Sequence, residues 1–214
     1  MGMSRARILL ADDHTLVVEA FRKLLEPEFE IVATVADGRT LLDVAPSLNP
    51  DVILIDLAMP LLNGLDAGER LKEVIPDARL IVLTISEDSD LASEVLRRWA
   101  SGYLLKKSSA SELRNAIRDV LNGKTYIASA MVPKLVEKSL QGARSGHPRD
   151  LTPRQREVLQ LLAEGHTMKE VADVLHVTTR TIAFHKYRIM AEFRLKTNSD
   201  LILFAIKQHL ISSS

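Results

Sequence analysis

The sequence predicts a doubly wound parallel α/β domain followed by an all-α domain of four short helices. Three observations predict it. Short apolar runs alternate with segments of helical period as far as Gly123, a polar stretch interrupts the chain at 141–150, and no strand pattern returns beyond it. A chain of 214 residues suits two domains, of roughly 130 and 65 residues, better than one.

The strand-length runs are Ile8–Ala11, Ile31–Val35, Val52–Ile55, Leu80–Leu83 and Tyr103–Leu105. They are continuously apolar rather than alternating, as expected of strands buried on both faces of a parallel sheet. Between them, Val17, Ala20, Phe21 and Leu24 fall at i, i+3, i+4 and i+7, and Leu113, Ala116, Ile117 and Val120 repeat the spacing. Five strands alternating with five helices give the doubly wound architecture. Ala130–Leu140 reads as one further helix on Val132, Leu135 and Val136, and Gln141–Asp150 as a flexible linker. The boundaries are therefore 1–126 for the first domain, 127–150 for a partly helical connection and 151–214 for the second domain.

In that second domain, Thr152 as N-cap, Pro153 in the first turn and Gln155 closing a capping box start a helix. Val158, Leu159 and Leu162 form its apolar face, and Gly165 stops it. A short helix follows with Val171, Ala172 and Leu175 facing inward, then a turn at His176–Thr178 and a longer helix from Thr179 to about Glu192. The last helix, about Ser199–Leu210, carries Leu201, Phe204, Ala205 and Gln208 at helical spacing.

Composition narrows the chemistry. Hydrophobic residues make up 46% of the chain and aromatics only 4%, so both cores are aliphatic. The absence of cysteine excludes disulfides, thiolate metal sites and a cysteine nucleophile. The apolar runs are too short to span a bilayer, and the N-terminus has neither a signal-peptide core nor, with Ala6, a myristoylation signal. A cytoplasmic protein without membrane association is expected. The net charge of zero conceals an asymmetry: residues 1–143 hold 17 Lys/Arg against 21 Asp/Glu, and residues 144–214 hold 11 against 7. The basic second half suits a polyanionic partner.

In an open parallel sheet, ligands bind beyond the carboxyl ends of the strands. There the sequence places Asp12 and Asp13, Asp56, Thr84 and Lys106. Clustered carboxylates resist ionising together unless a cation joins them. Oxygen ligands favour Mg²⁺, and the lack of His or Cys at these strand ends argues against zinc. A carboxylate beside Mg²⁺ is a competent nucleophile toward a phosphoryl group, with Lys106 and Thr84 placed to meet its oxygens.

These residues, with Ile8–His14, Asp56–Pro60, Asn63-Gly64, Leu83-Thr84 and Gly102–Lys106, resemble the receiver domain of two-component response regulators over residues 5–123. The resemblance implies a flavodoxin-like (βα)5 fold. It also implies that Asp56 takes a phosphoryl group from a sensor histidine kinase. Asp12, Asp13, Asp56 and the Ala58 carbonyl would hold Mg²⁺, and Thr84 and Tyr103 would move in response. Two residues depart from the pattern. Ile85 stands where a small residue is usual, and its bulk is expected to restrict access to Asp56. Trp99 replaces a glycine and is expected beside the helix 4–strand 5 surface used for signalling. Both favour, as an alternative, a phosphorylation-independent interaction module.

Thr178-Thr179-Arg180-Thr181 opens the longer helix with hydroxyls and a cation where backbone N–H groups attract phosphate, and His185, Lys186 and Arg188 extend a cationic face. Leu151–Leu210 resembles the LuxR/FixJ (NarL-type) DNA-binding domain, through Leu151–Leu159, Gly165, Lys169–Ala172, Thr179–Ile182 and His185. The resemblance implies a homodimer on double-stranded DNA, paired through the last helix. It places the DNA contacts at Lys169, Thr178, Thr179, Arg180, Thr181, Ala183, Phe184, His185, Tyr187 and Arg188. Phe184 and Tyr187 suit thymine methyls or backbone stacking and cannot form the bidentate Arg–guanine pair.

Other motifs fail on their own terms. Gly123-Lys124-Thr125 lacks the upstream glycine of a P-loop, Arg118 standing there, and it follows a helix. A phosphohydrolase of the haloacid-dehalogenase type needs a second Asp where Ala58 stands. The protein is therefore expected to be a switch rather than an enzyme, with at most slow self-dephosphorylation.

Overall fold

The computed structural model describes residues 5–140 and 151–212. Six parallel strands form one sheet in the order β2-β1-β3-β4-β5-β6: β1 (Arg7–Ala11), β2 (Glu30–Val35), β3 (Val52–Asp56), β4 (Arg79–Thr84), β5 (Gly102–Leu105) and β6 (Tyr126–Ile127). Helices α1 (Thr15–Leu25), α2 (Gly38–Leu48), α3 (Gly64–Val74), α4 (Ser89–Arg98) and α5 (Ala110–Leu121) make the crossovers. Every residue of β3 is buried, whereas β2, at the edge, is half-exposed, so the strand that ends in Asp56 is an interior strand of the sheet. Side-chain caps from Asp37, Asn63, Asp88 and Ser109 fix where α2 to α5 begin.

Three features of this first half differ from the sequence expectation. The sixth strand is only two residues long, too short for any periodicity to register. The inward face of α1 is Val18, Phe21 and Leu25 rather than Val17, Ala20 and Leu24, a rotation of one residue that leaves Ala20 in solvent. The third concerns Trp99, which stands between α4 and β5 as expected but is buried rather than presented at a surface. Its ring is 5% exposed and wedged against α3, where a Cβ added at Gly68 would lie 2.6–2.7 Å from the ring carbons.

The sixth helix, α6 (Val132–Leu140), packs on α4, and Leu135 reaches the core. The expected linker at 141–150 lies outside the described residues. The second half consists of α7 (Pro153–Ala163), α8 (Met168–Val174), α9 (Thr179–Glu192) and α10 (Asn198–Lys207). The capping box at Thr152 and Gln155 forms as expected, and Gly165 takes a positive φ of 96° after α7. The last helix ends earlier than its apolar pattern, with His209 at φ 56°. Two aliphatic clusters hold this half together, around Leu159, Ile189 and Leu201 and around Val158, Leu161 and Ile182; α7 belongs to both. Among the described residues no helix is long and apolar enough to cross a membrane.

The Trp99 wedge gives a stability prediction with a sign reversal. Gly68→Ala should destabilise the wild-type fold, because overpacking a rigid ring costs about 1–3 kcal/mol and exceeds the helix gain of about 0.8–1 kcal/mol. In a Trp99→Leu background the same substitution should stabilise. Urea denaturation followed by circular dichroism measures both.

Candidate functional site

The carboxyl ends of β1, β3, β4 and β5 converge. The parallel register sets Asp56 of β3 opposite Leu83, one residue before Thr84, and Thr84 of β4 opposite Leu105, one residue before Lys106. Asp12, Asp56 and Thr84 are buried. The Lys106 ammonium lies 2.8 Å from Asp12 Oδ2 and 2.9 Å from Asp56 Oδ2, so one cation serves two buried carboxylates. Burial raises the Asp56 carboxyl above its ordinary value, against the opposing pull of Lys106. Burial alone would lower the Lys106 pKa, but its partners Asp56 and Asp12 outweigh it, and the ammonium is held above its ordinary value. The carboxyl groups of Asp12, Asp13 and Asp56 and the His14 imidazole offer ligand atoms all within 4.8 Å of one another. Three carboxylates around one ammonium leave negative charge to be met, and this donor set fits a hard divalent cation. Histidine does reach this pocket: the His14 Nδ1 lies 3.0 Å from Asp12 Oδ1 and 2.8 Å from Asp13 Oδ1. The signal was present in the sequence, since His14 directly follows the pair, but it stands beyond the strand.

On the β4 side, Thr84 Oγ1 accepts from the Ser86 amide at 3.0 Å, and the Tyr103 hydroxyl donates to the Ser86 carbonyl at 2.9 Å. Burial, then the charge of Asp88, raise the Tyr103 phenol, so it stays a neutral donor. Thr84 and Tyr103 thus hold the same residue of the β4–α4 loop. Ile85, expected to obstruct the pocket, is 75% exposed and projects into solvent.

The Met59–Asn63 loop, which leads from β3 to α3, is where the two halves meet. Gln160 of α7 is fully buried against it: Nε2 donates to the Met59 carbonyl at 2.8 Å, and Oε1 accepts from both the backbone and side-chain nitrogens of Asn63 at 2.9 Å. Leu61, at φ 64°, packs into the Val158–Ile182 cluster. Arg156 Nε donates to Asp66 Oδ1 at 2.7 Å, Arg70 pairs with Glu157, and His209 meets Asp88 at 3.3 Å. Sequence reasoning missed Gln160, Arg156 and Glu157, because polar residues on an amphipathic helix read as its solvent face.

The groove-reading candidates remain uncovered in this docked arrangement. Lys169, Thr178, Thr179, Arg180, Phe184, Tyr187 and Arg188 are exposed, Phe184 and Tyr187 by 58% and 61%. Thr178 caps α9, accepting from the Thr181 amide, and Thr181 and Ala183 are half-buried. His185 adds no charge to this face. It is half-buried, edge-on to Phe184 at 5.5 Å, and burial followed by repulsion from Arg154 and Arg188 lowers its pKa.

Comparison with known proteins settles the lineage. Residues 8–118 match the family described as the response regulator receiver domain, and residues 149–205 the bacterial regulatory proteins of the luxR family. The chain belongs to the LuxR-type two-component response regulators. This response regulator is 36% identical to the oxygen regulatory protein NreC of Staphylococcus carnosus, with 96% of this chain and 99% of that protein covered. It is similar to RcsB of Salmonella enterica serovar Typhimurium bound to promoter P1flhDC with the phosphomimetic BeF3⁻, at TM-score 0.65 and 27% identity over 95% of this chain and all of that one. A structure of two RcsB dimers bound to two parallel DNAs gives TM-score 0.61 at 27% identity, again over 95% of this chain and all of that one. Such a protein is a DNA-binding transcription regulator.

Gln160→Ala leaves a buried carbonyl and a buried amide unpaired, which costs about 1–3 kcal/mol. Hydrogen exchange at the Asn63 amide should quicken roughly 5- to 150-fold in this variant, while amides of β3 keep their wild-type protection.

Proposed function

We propose that Asp56 accepts a phosphoryl group from a sensor histidine kinase and that this modification governs how the regulator dimerises and binds DNA. The observation that carries the proposal is the shared ammonium of Lys106 between Asp12 and Asp56. An Asp56 carboxylate oxygen attacks the phosphorus, the bond from phosphorus to the donor nitrogen breaks, and the leaving imidazole keeps that electron pair. Lys106 then stays within reach of the new phosphoryl oxygens, and the Thr84 hydroxyl is free to turn from Ser86 toward them. Asp12, Asp13, Asp56 and the Ala58 carbonyl would hold Mg²⁺, which supplies further charge neutralisation for those oxygens. Hydrolysis of the acylphosphate by the protein itself is at most slow, in keeping with the likeness to receiver domains.

Two contacts link this pocket to the second half. Met59, whose carbonyl Gln160 grips, follows the Ala58 carbonyl directly. Tyr103 follows Thr84 through Ser86, two residues from the Asp88 that meets His209. A shift of either loop acts on docking without any longer relay. With 1–126 as receiver, 127–150 as connection and 151–214 as output, release frees α7 and the end of α10. Ile202 and Leu203 of α10 are already exposed, 39% and 65%, and present an apolar face for a second copy. Arg180, Phe184, Tyr187 and Arg188 would meet the major groove and its phosphates. The site of action is the cytoplasm, where such kinases deliver phosphoryl groups.

Incubation with Mg²⁺ and a small phosphodonor should add the mass of one phosphoryl group to the wild type and none to Asp56→Ala; an equal gain in both would overturn the assignment. Arg180→Ala should weaken binding to all duplexes alike and reduce the magnitude of the salt slope of log K by about 1.

A further inference from the structure

Helix α4 meets the output half at both of its ends. At its start, Asp88 caps the helix, accepting from the Asp90 and Leu91 amides, and its other carboxylate oxygen meets His209 at 3.3 Å. At its finish the contact is indirect and runs through α3. Arg98, the last residue of α4, places a guanidinium nitrogen 2.8 Å from Glu69 Oε1, and Glu69 Oε2 lies 3.7 Å from Arg156 of α7. One carboxylate of α3 thus stands between an arginine of the receiver and an arginine of the output half.

The neighbours of Glu69 show how it is held there. Trp99 directly follows Arg98, and Gly68 directly precedes Glu69. The Trp99 ring lies so close to Gly68 that a Cβ there would be 2.6–2.7 Å from its carbons. That wedge sets the spacing of the two helices and brings Arg98 to Glu69. Toward the output half, Asp66 accepts from Arg156 Nε at 2.7 Å, and Arg70 pairs with Glu157. Little more than one turn of α3 therefore carries α4 on one side and α7 on the other.

The Glu69 side chain is mostly buried, which raises its carboxyl above the ordinary value, and Arg98 and then Arg156 oppose that rise. Its charge depends on both cations. Arg98 itself, among the described residues, pairs with Glu69 and Glu94, both of the receiver.

We propose that Arg98 and Glu69 form a coupling point through which the far end of α4 sets how firmly α7 docks, with Arg98 holding the Glu69 carboxylate in place for Arg156. The inference deepens the regulatory part of the proposed function and rests on the docking of the halves, not on phosphoryl transfer. With 10 residues, α4 is a rod about 15 Å long. A displacement that begins in the loop before Asp88 moves both ends, so the contacts to α10 and to α7 loosen together.

The full-length protein, with neither phosphodonor nor metal added, is followed by hydrogen exchange at the Asn63 amide. That amide donates to Gln160 Oε1 across the junction and so reports undocking. Its rate is read relative to the amides of β3, so that a general loss of receiver stability is not counted. Arg98→Gln should quicken the exchange roughly 2- to 5-fold, the effect of losing one partly exposed ion pair, and Glu69→Gln should do at least as much. Adding Arg98→Gln to Glu69→Gln should change nothing further, because both remove the same link. Arg98→Lys, which keeps the charge, should stay near the wild type. Unchanged or slowed exchange in Arg98→Gln, or effects that sum in the double variant, overturns the proposal. Since no phosphoryl group takes part, failure of Asp56 to accept one would leave this result as it stands.

Discussion

The ammonium of Lys106, held between two buried carboxylates, is the interaction on which the rest of this structure depends. Asp12 and Asp56 end adjacent strands, and without a cation between them their repulsion would act on the middle of the sheet. Removing one partner of a buried ion pair typically costs about 3–5 kcal/mol. Lys106 can reach both because β5 is registered on β4 and β4 on β3, with the Lys106 amide donating to the Thr84 carbonyl. Gly64 contributes in the same way, since a Cβ there would overlap the Asp56 carbonyl oxygen. The loops leaving these strands carry the contacts to the output half.

Those loops are reached by polar groups rather than by a broad apolar face. Gln160 satisfies a carbonyl and two nitrogens of the Met59–Asn63 loop, with the Arg156–Asp66 and Arg70–Glu157 pairs beside it, and among the described residues only Leu61 inserts an aliphatic side chain. An interface of this kind is specific in geometry and modest in net free energy, because water competes for each of its groups once they separate. That combination suits a contact which must be made and broken in operation. It also leaves Arg180, Phe184, Tyr187 and Arg188 of α9 in solvent while the halves are docked, the contacts being made by α7 and the end of α10.

Much of this was legible in the sequence. The five longer strands, the carboxylate–hydroxyl–lysine set at their ends and the capped start of α7 follow from local patterns, because each depends on residues close together in the chain. The rotated face of α1 was not legible, since Val17, Val18, Ala20 and Leu24 allow two apolar stripes and only the sheet beneath selects one. The burial of Trp99 was not legible because it is set by Gly68, distant in sequence, whose missing side chain makes the room. Gln160 was invisible for the opposite reason: it is polar on a helix whose other face satisfies every expectation. His14 stood in plain view beside Asp13, but nothing local shows that its ring turns back to the carboxylates.

The double role of α7 has a consequence for how such proteins can be recombined. Its Val158 and Leu161 side answers to the output core, while Arg156, Glu157 and Gln160 answer to a loop in another domain. A chimera that exchanges whole output domains at the connection would keep two intact cores and lose the complementarity between them. It would behave as two tethered proteins, deaf to each other. Transplanting residues 59–70 together with 156–164 would carry the shared vocabulary across, so the heritable unit of regulation here cuts across the boundary between the folding units.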